Sequence, residues 1–175
     1  AAGEVREKEE LKIRARCGVL GYGVPEESFL RGIAREPDAI VVDAGSTDAG
    51  THKLGAGCSI VSRMAMYQDL QMFVEHGVTR GIPVVIGSAG GAGADVHVQW
   101  TLETLEQVLA NAGLRAKIAV VTADIPHQAV VSACHHVRIA TLGTHLPDMK
   151  EAAVATTGDI VAQMGHEPVI EALNT

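Results

Sequence analysis

Pro83-Val84-Val85-Ile86-Gly87-Ser88-Ala89-Gly90-Gly91-Ala92-Gly93-Ala94-Asp95 is the stretch whose reading decides the fold. Val84, Val85 and Ile86 form a short, uninterrupted apolar run, the pattern of a strand buried on both faces rather than one. The glycine-rich string ends that run. A long amphipathic pattern follows, with Leu102, Leu105, Val108 and Leu109 on one face and Gly113 placed to close the helix. Strand, glycine-rich loop and helix in succession define the repeating unit of an α/β sheet.

The same unit recurs on both sides. Leu11–Leu20 reads as a first strand ending at Gly21-Tyr22-Gly23, and Pro25 opens a helix whose first turn carries Glu26 and Glu27, where acids suit the helix dipole. Ala39–Val42 is a second strand, leading into the loop Asp43-Ala44-Gly45-Ser46-Thr47-Asp48-Ala49-Gly50. Ser62 is placed to cap a helix carrying Met66, Leu70 and Phe73, which should stop near Gly81. Downstream, Lys117–Val121 reads as a fourth strand, Gln128–His136 as a short helix, Val137–Leu142 as an extended piece, and Asp159–Leu173 as a last helix interrupted near Gly165 and Pro168.

Buried strands alternating with helices imply a parallel sheet with right-handed crossovers. With only about four or five strands, an open Rossmann-like three-layer sandwich is expected over part of a (β/α)8 barrel. The expected organisation is a charged extension over 1–10 and a single α/β domain over 11–175. The 175 residues suit one domain, and with aromatics at 3% its core must be aliphatic.

Charge and cysteine usage narrow the function classes. A net charge of −7 disfavours nucleic acid as a partner. No apolar stretch approaches a membrane span, and the mixed charges of Ala1–Glu10 do not form a signal peptide. Cys17, Cys58 and Cys134 are odd in number and far apart, which reads as reduced thiols in a cytoplasmic protein.

In either α/β architecture the loops after the strands open on one rim, where ligands bind. Tyr22 and Gly23 follow the first strand, Asp43, Ser46, Thr47 and Asp48 the second, Ser88 to Asp95 the third, and Asp124 and His127 the fourth. Gly87, Ser88, Gly90, Gly91 and Gly93 let a carboxylate or phosphate approach backbone amides, and Asp95 either joins that site or caps the next helix. The string lacks the Lys-Ser or Lys-Thr of a P-loop and is not a clean dinucleotide fingerprint. Asp43, Ser46 and Thr47 resemble the first phosphate loop of the actin-like kinases, without its hairpin. They equally suit a metal, a substrate hydroxyl or their own turn. Asp124 and His127 are candidates for acid–base work or for a divalent metal site, with His97 a weaker partner, and the alternative is an Asx-type turn. His135 and His136 fit a helix end. Cys58 has no basic neighbour in sequence, so no cysteine enzyme is expected.

Val42-Asp43-Ala44-Gly45-Ser46-Thr47-Asp48, the Gly87–Asp95 loop, Ser62-Arg63 and Ala162-Gln163-Met164-Gly165-His166-Glu167-Pro168 together resemble segments of the acyclic-terpene-utilisation (AtuA-like) proteins of bacteria, in order and spacing. The resemblance runs from Gly21 to about Leu173. It implies a catabolic role beside enzymes that degrade acyl-CoA, terpenoids or small carboxylates, and it implies a region continuing past Thr175. The expected activity is therefore a lyase, hydratase or isomerase acting on a small carboxylate or acyl-CoA. The alternatives are a non-catalytic subunit that completes a site with another chain, and a nucleotide-phosphate-binding protein. Self-association or a second subunit is expected because an unfinished sheet exposes an edge.

Overall fold

The computed structural model describes residues 10–16, 18–46, 50–136, 139–143, 145 and 147–175. Most of the N-terminal extension, Cys17, Thr47 and Asp48 therefore lie outside the described residues.

Three strands, β1 (Ile13–Ala15), β2 (Ala39–Asp43) and β3 (Val84–Gly87), form a parallel open sheet in the order β1-β2-β3. Arg14 pairs with Ile40, Ile40 with Val84, and Val42 with Ile86, so these residues share one face. The helices of the core stand on that face. α1 (Glu26–Ile33) brings Phe29 under the Arg14 guanidinium, and α3 (Arg63–Arg80) sets Gly77 against Val84 and Ile40. α4 (Asp95–Ala112) packs along α3 and adds Val108 and Leu109 to the core. Ile40, Val42, Leu70, Phe29 and Phe73 are at its centre, and Phe29 meets Phe73 with ring centroids 5.1 Å apart.

The helix boundaries follow their sequence signals. Pro25 precedes α1, with Glu26 and Glu27 in the first turn. The Ser62 hydroxyl accepts from Ala65 N–H at 3.2 Å, while Gly81 and Gly113, both at positive φ, terminate α3 and α4.

The other face of the sheet carries Ile13, Ala39, Val41 and Val85, which range from half-buried to exposed. The described architecture is thus a mixed α/β fold with a small, open, parallel sheet, and the core cluster lies on the face that carries Ile40 and Val42. The first strand is shorter than expected. Lys117–Val121 forms no strand, and Ile118 and Val120 are exposed. Among the described residues of this part, the pairing is an isolated antiparallel bridge between Asp124 and Val161. Strand-forming residues supply propensity, but a strand exists only where a neighbour takes its hydrogen bonds. The remaining helices are α2 (Gly50–Ala56), α5 (His127–His135), α6 (Glu151–Thr156) and α7 (Glu167–Leu173). The expected last helix is realised only from Glu167 onward, and α6 is additional to the sequence reading. No described helix is long and apolar enough to cross a membrane.

Candidate functional site

The rim at the C-terminal ends of β2 and β3 is assembled by close backbone contact. Asp43 pairs with Gly87 across the sheet, and Ala44 N–H donates to the Gly87 carbonyl at 2.8 Å. Beyond this pair the two loops pass so closely that a Cβ on Gly45 would lie 2.7 Å from Ser88 Cβ. Glycine at 45 is therefore what allows the Asp43 and Ser88 loops to meet. Asp43 is exposed, and its Oδ1 accepts from Gly45 N–H at 2.8 Å in an Asx turn. Ser88 is also exposed and adopts φ 49, ψ 45, a left-handed conformation that costs a non-glycine residue about 1–2 kcal/mol.

The rest of the glycine-rich string does structural work. Gly90 and Gly91 are buried. A Cβ at Gly90 would lie 2.6 Å from the His97 carbonyl oxygen, and one at Gly91 would lie 2.5 Å from Ile60. Gly91 N–H donates to the Ser88 carbonyl and Gly93 N–H to that of Ala89. These three glycines were expected to admit a ligand to the backbone. In the structure Gly90 lets the loop pack on His97 of α4, Gly91 lets it pack on Ile60, and the Gly91 and Gly93 amides bond back within the loop.

Asp95 is the first residue of α4, and its own side chain does not cap the helix. The cap comes from Asp124, whose Oδ1 accepts from Asp95 N–H at 3.1 Å. Asp95 Oδ1 accepts from Gln99 on the next turn. The expected Asp124–His127 acid–base pair is not formed, because His127 Nε2 bonds the Thr157 carbonyl at 2.9 Å. Ser46 is half-buried on the same loop as Asp43, and its backbone carbonyl accepts from Gly50 N–H. β2 leads into α2 and pairs in parallel with both neighbours, so the hairpin of the actin-like kinase loop is missing. Among the described residues no three His, Cys, Asp or Glu side chains come together as a metal-holding group.

Two buried polar groups escaped the sequence reading or were misread by it. Asp69, inside the apolar stripe of α3, accepts from Arg16 at 2.7 Å and from the Gly21 and Gly23 amides at 2.6 and 3.3 Å. Arg16 in turn donates to the Val19 and Gly23 carbonyls. This ion pair, both side chains 4% exposed, holds the loop after β1 in place, and Leu20 N–H ties that loop to the Asp43 carbonyl. An acid within the stripe Met66, Asp69, Leu70, Phe73 was the available signal. His97 is 1% exposed and Nε2 reaches the Lys53 and Cys58 carbonyls at 3.3 and 3.2 Å. It is a strut between α4 and the turn after α2. That turn brings Lys53 Nζ to 3.8 Å from the Cys58 thiol, a basic neighbour that the linear sequence does not display.

No protein-family model matches the chain, and neither the curated proteins nor the solved structures yielded a match.

Proposed function

We propose that the rim formed by Asp43, Gly45, Gly87 and Ser88 binds a small carboxylate or the acyl end of an acyl-CoA. Asp43 moves a proton on that ligand in a lyase, hydratase or isomerase reaction. The observation that carries this reading is the strained backbone of Ser88 beside an exposed carboxylate. In a string already rich in glycine, a serine held at positive φ sacrifices stability, and such strain concentrates where a side chain must be presented to a ligand. Ser88 Oγ and its surrounding amides hold the ligand oxygen, and Asp43 faces it from the neighbouring loop. The Rossmann-like reading of the sheet belongs to this proposal, since such sheets bind ligands at this end.

Ser88→Gly tests it directly. The variant should gain about 1 kcal/mol in denaturant unfolding because the strain is relieved. In thermal-shift titrations with malonate and acetyl-CoA, it should show a smaller shift than the wild type. A stabilised variant that binds as well as wild type sinks the proposal. Asp43→Asn keeps the Asx turn and should retain binding while losing turnover.

The partner-subunit reading keeps one specific support, the exposed edge and face of the sheet. It predicts ligand binding without turnover until a second chain is added.

A further inference from the structure

β1 lies at the edge of the sheet, bordered by a groove of about 940 Å3. The Val41 and Asp43 carbonyls accept from Arg16 and Leu20, and the Lys12 carbonyl accepts from Asp38. Even-numbered residues of this strand therefore turn their backbone groups toward β2. By alternation Leu11 and Ile13 turn theirs outward. Their side chains are 68% and 53% exposed. The Ala15 carbonyl is already bonded by the Arg14 side chain, so among the described residues the available row centres on Ile13. The far wall is α1 and the turn that follows it, from which Ser28, Arg31 and Arg35 line the groove, Arg31 being also paired with the exposed Glu27 carboxylate. The lining carries four cations, Lys12, Arg14, Arg31 and Arg35, against Glu10 and Glu36, in a chain whose net charge is −7.

We propose that this edge docks an extended, acidic segment of another polypeptide, added as a strand outside β1 with its carboxylates against Arg31 and Arg35. Charge complementarity selects this occupant over a second copy of the chain. Antiparallel self-pairing about Ile13 would set Lys12 opposite Arg14 of the copy, a like-charge pair that destabilises a ladder. Nor do β2, β3 or the Lys117–Val121 run offer an acidic strand, because Asp43 is their single carboxylate. Backbone pairing supplies the affinity in such strand addition, and the flanking charges supply the selectivity.

The test is fluorescence anisotropy of the whole chain with a labelled Glu-Val-Thr-Val-Glu-Val-Glu peptide and its counterpart with Lys in place of Glu. The acidic peptide should bind, more weakly as salt rises, and the basic one should not. Ile13→Pro deletes an outward N–H without touching the ladder to β2 and should abolish binding. A melting curve like that of wild type shows that the variant is folded. Should it fail to fold, Arg31→Glu with Arg35→Glu, exposed residues of α1 and of the turn after it, must weaken the acidic peptide about 5-fold or more. Equal binding of both peptides overturns the proposal, as does binding unchanged by the variants or absent at ~1 mM. A dimer in light scattering that Ile13→Pro dissolves also overturns it and assigns the edge to a second copy.

Discussion

Helices α3 and α4 each bury a continuous stripe, Met66 to Gly77 and His97 to Leu109, whereas α5, α6 and α7 together bury only Val130 and Val154. The two parts of the chain use similar residues. They differ in what their helices have to pack on. α3 stands against the paired sheet, and α4 packs along α3 and on the Ala89–Gly91 turn, so both helices have a partner surface. Beyond Gly113 no described strand joins the sheet, so apolar residues such as Ile118, Val120, Ile170 and Leu173 remain exposed. The two regions are joined by thin contacts, notably Asp124 on the Asp95 amide and Gly158 beside the Gly55 carbonyl. Helix formation can be local, but burial requires a partner surface.

The largest effect that separates the regions should come from the core itself. Phe73→Ala should cost about 3–5 kcal/mol of unfolding free energy. Val154→Ala should cost about 1 kcal/mol, because Val154 is buried on α6 outside the main core cluster. Urea unfolding of both variants checks this, with hydrogen exchange as a regional readout. Amides of α3 and α4 should exchange only on global unfolding, and those of 114–175 much faster. Comparable losses for the two variants would mean that the regions share one cooperative unit.

Next in size is the ion pair between Arg16, just after β1, and Asp69 on α3. Asp69→Ala strands the buried Arg16 charge and two amides, and it should destabilise by about 3 kcal/mol. The loop after β1 should lose its hydrogen-exchange protection first. A loss below about 1 kcal/mol would show the pair to be hydrated, as exposed pairs are.

A smaller effect belongs to the junction. Asp124→Ala removes the capping acceptor of α4 and should cost about 1 kcal/mol. If the carboxylate also tethers 114–175 to the core, protease sensitivity between Gly113 and Ile125 should rise more than that modest cost implies. Unchanged proteolysis would leave the cap as its whole role.

Much of the first region was legible in the sequence because its signals are local. Pro25, Ser62, Gly81 and Gly113 mark helix ends through their own backbone chemistry, and β2 and β3 are short β-branched runs. The fourth strand was misread because Lys117–Val121 carries the same local signal without a hydrogen-bonding neighbour, and neighbours are set by tertiary structure. Of the rim, the sequence showed which residues follow β2 and β3 but not how their loops pack. The loops that carry Asp43 and Ser88 do meet at Gly45, yet the sequence could not show that Gly90 and Gly91 make room for the His97 carbonyl and for Ile60. Arg16 and Asp69 lie 53 positions apart, a separation across which local patterns carry no information.

The smallest effect concerns pH and asks which region controls acid sensitivity. His76 lies on α3 with its ring centroid 5.4 Å from that of Phe29 and its Nδ1 2.8 Å from an Arg80 guanidinium nitrogen. Burial first, and the Arg80 charge second, push its pKa below the ordinary 6.5, against the opposing pull of Glu75 and Glu26. The unfolded chain therefore takes up this proton before the folded one as pH falls. Stability from the neutral ring is fully present above 6.5 and is lost as pH drops through the folded value. Urea unfolding at about pH 7.5 and about pH 5 should show a smaller acid loss for His76→Gln than for wild type. Equal losses would move the acid-sensitive group out of the core, and a larger loss in the variant would reverse the sign of the His76 contribution.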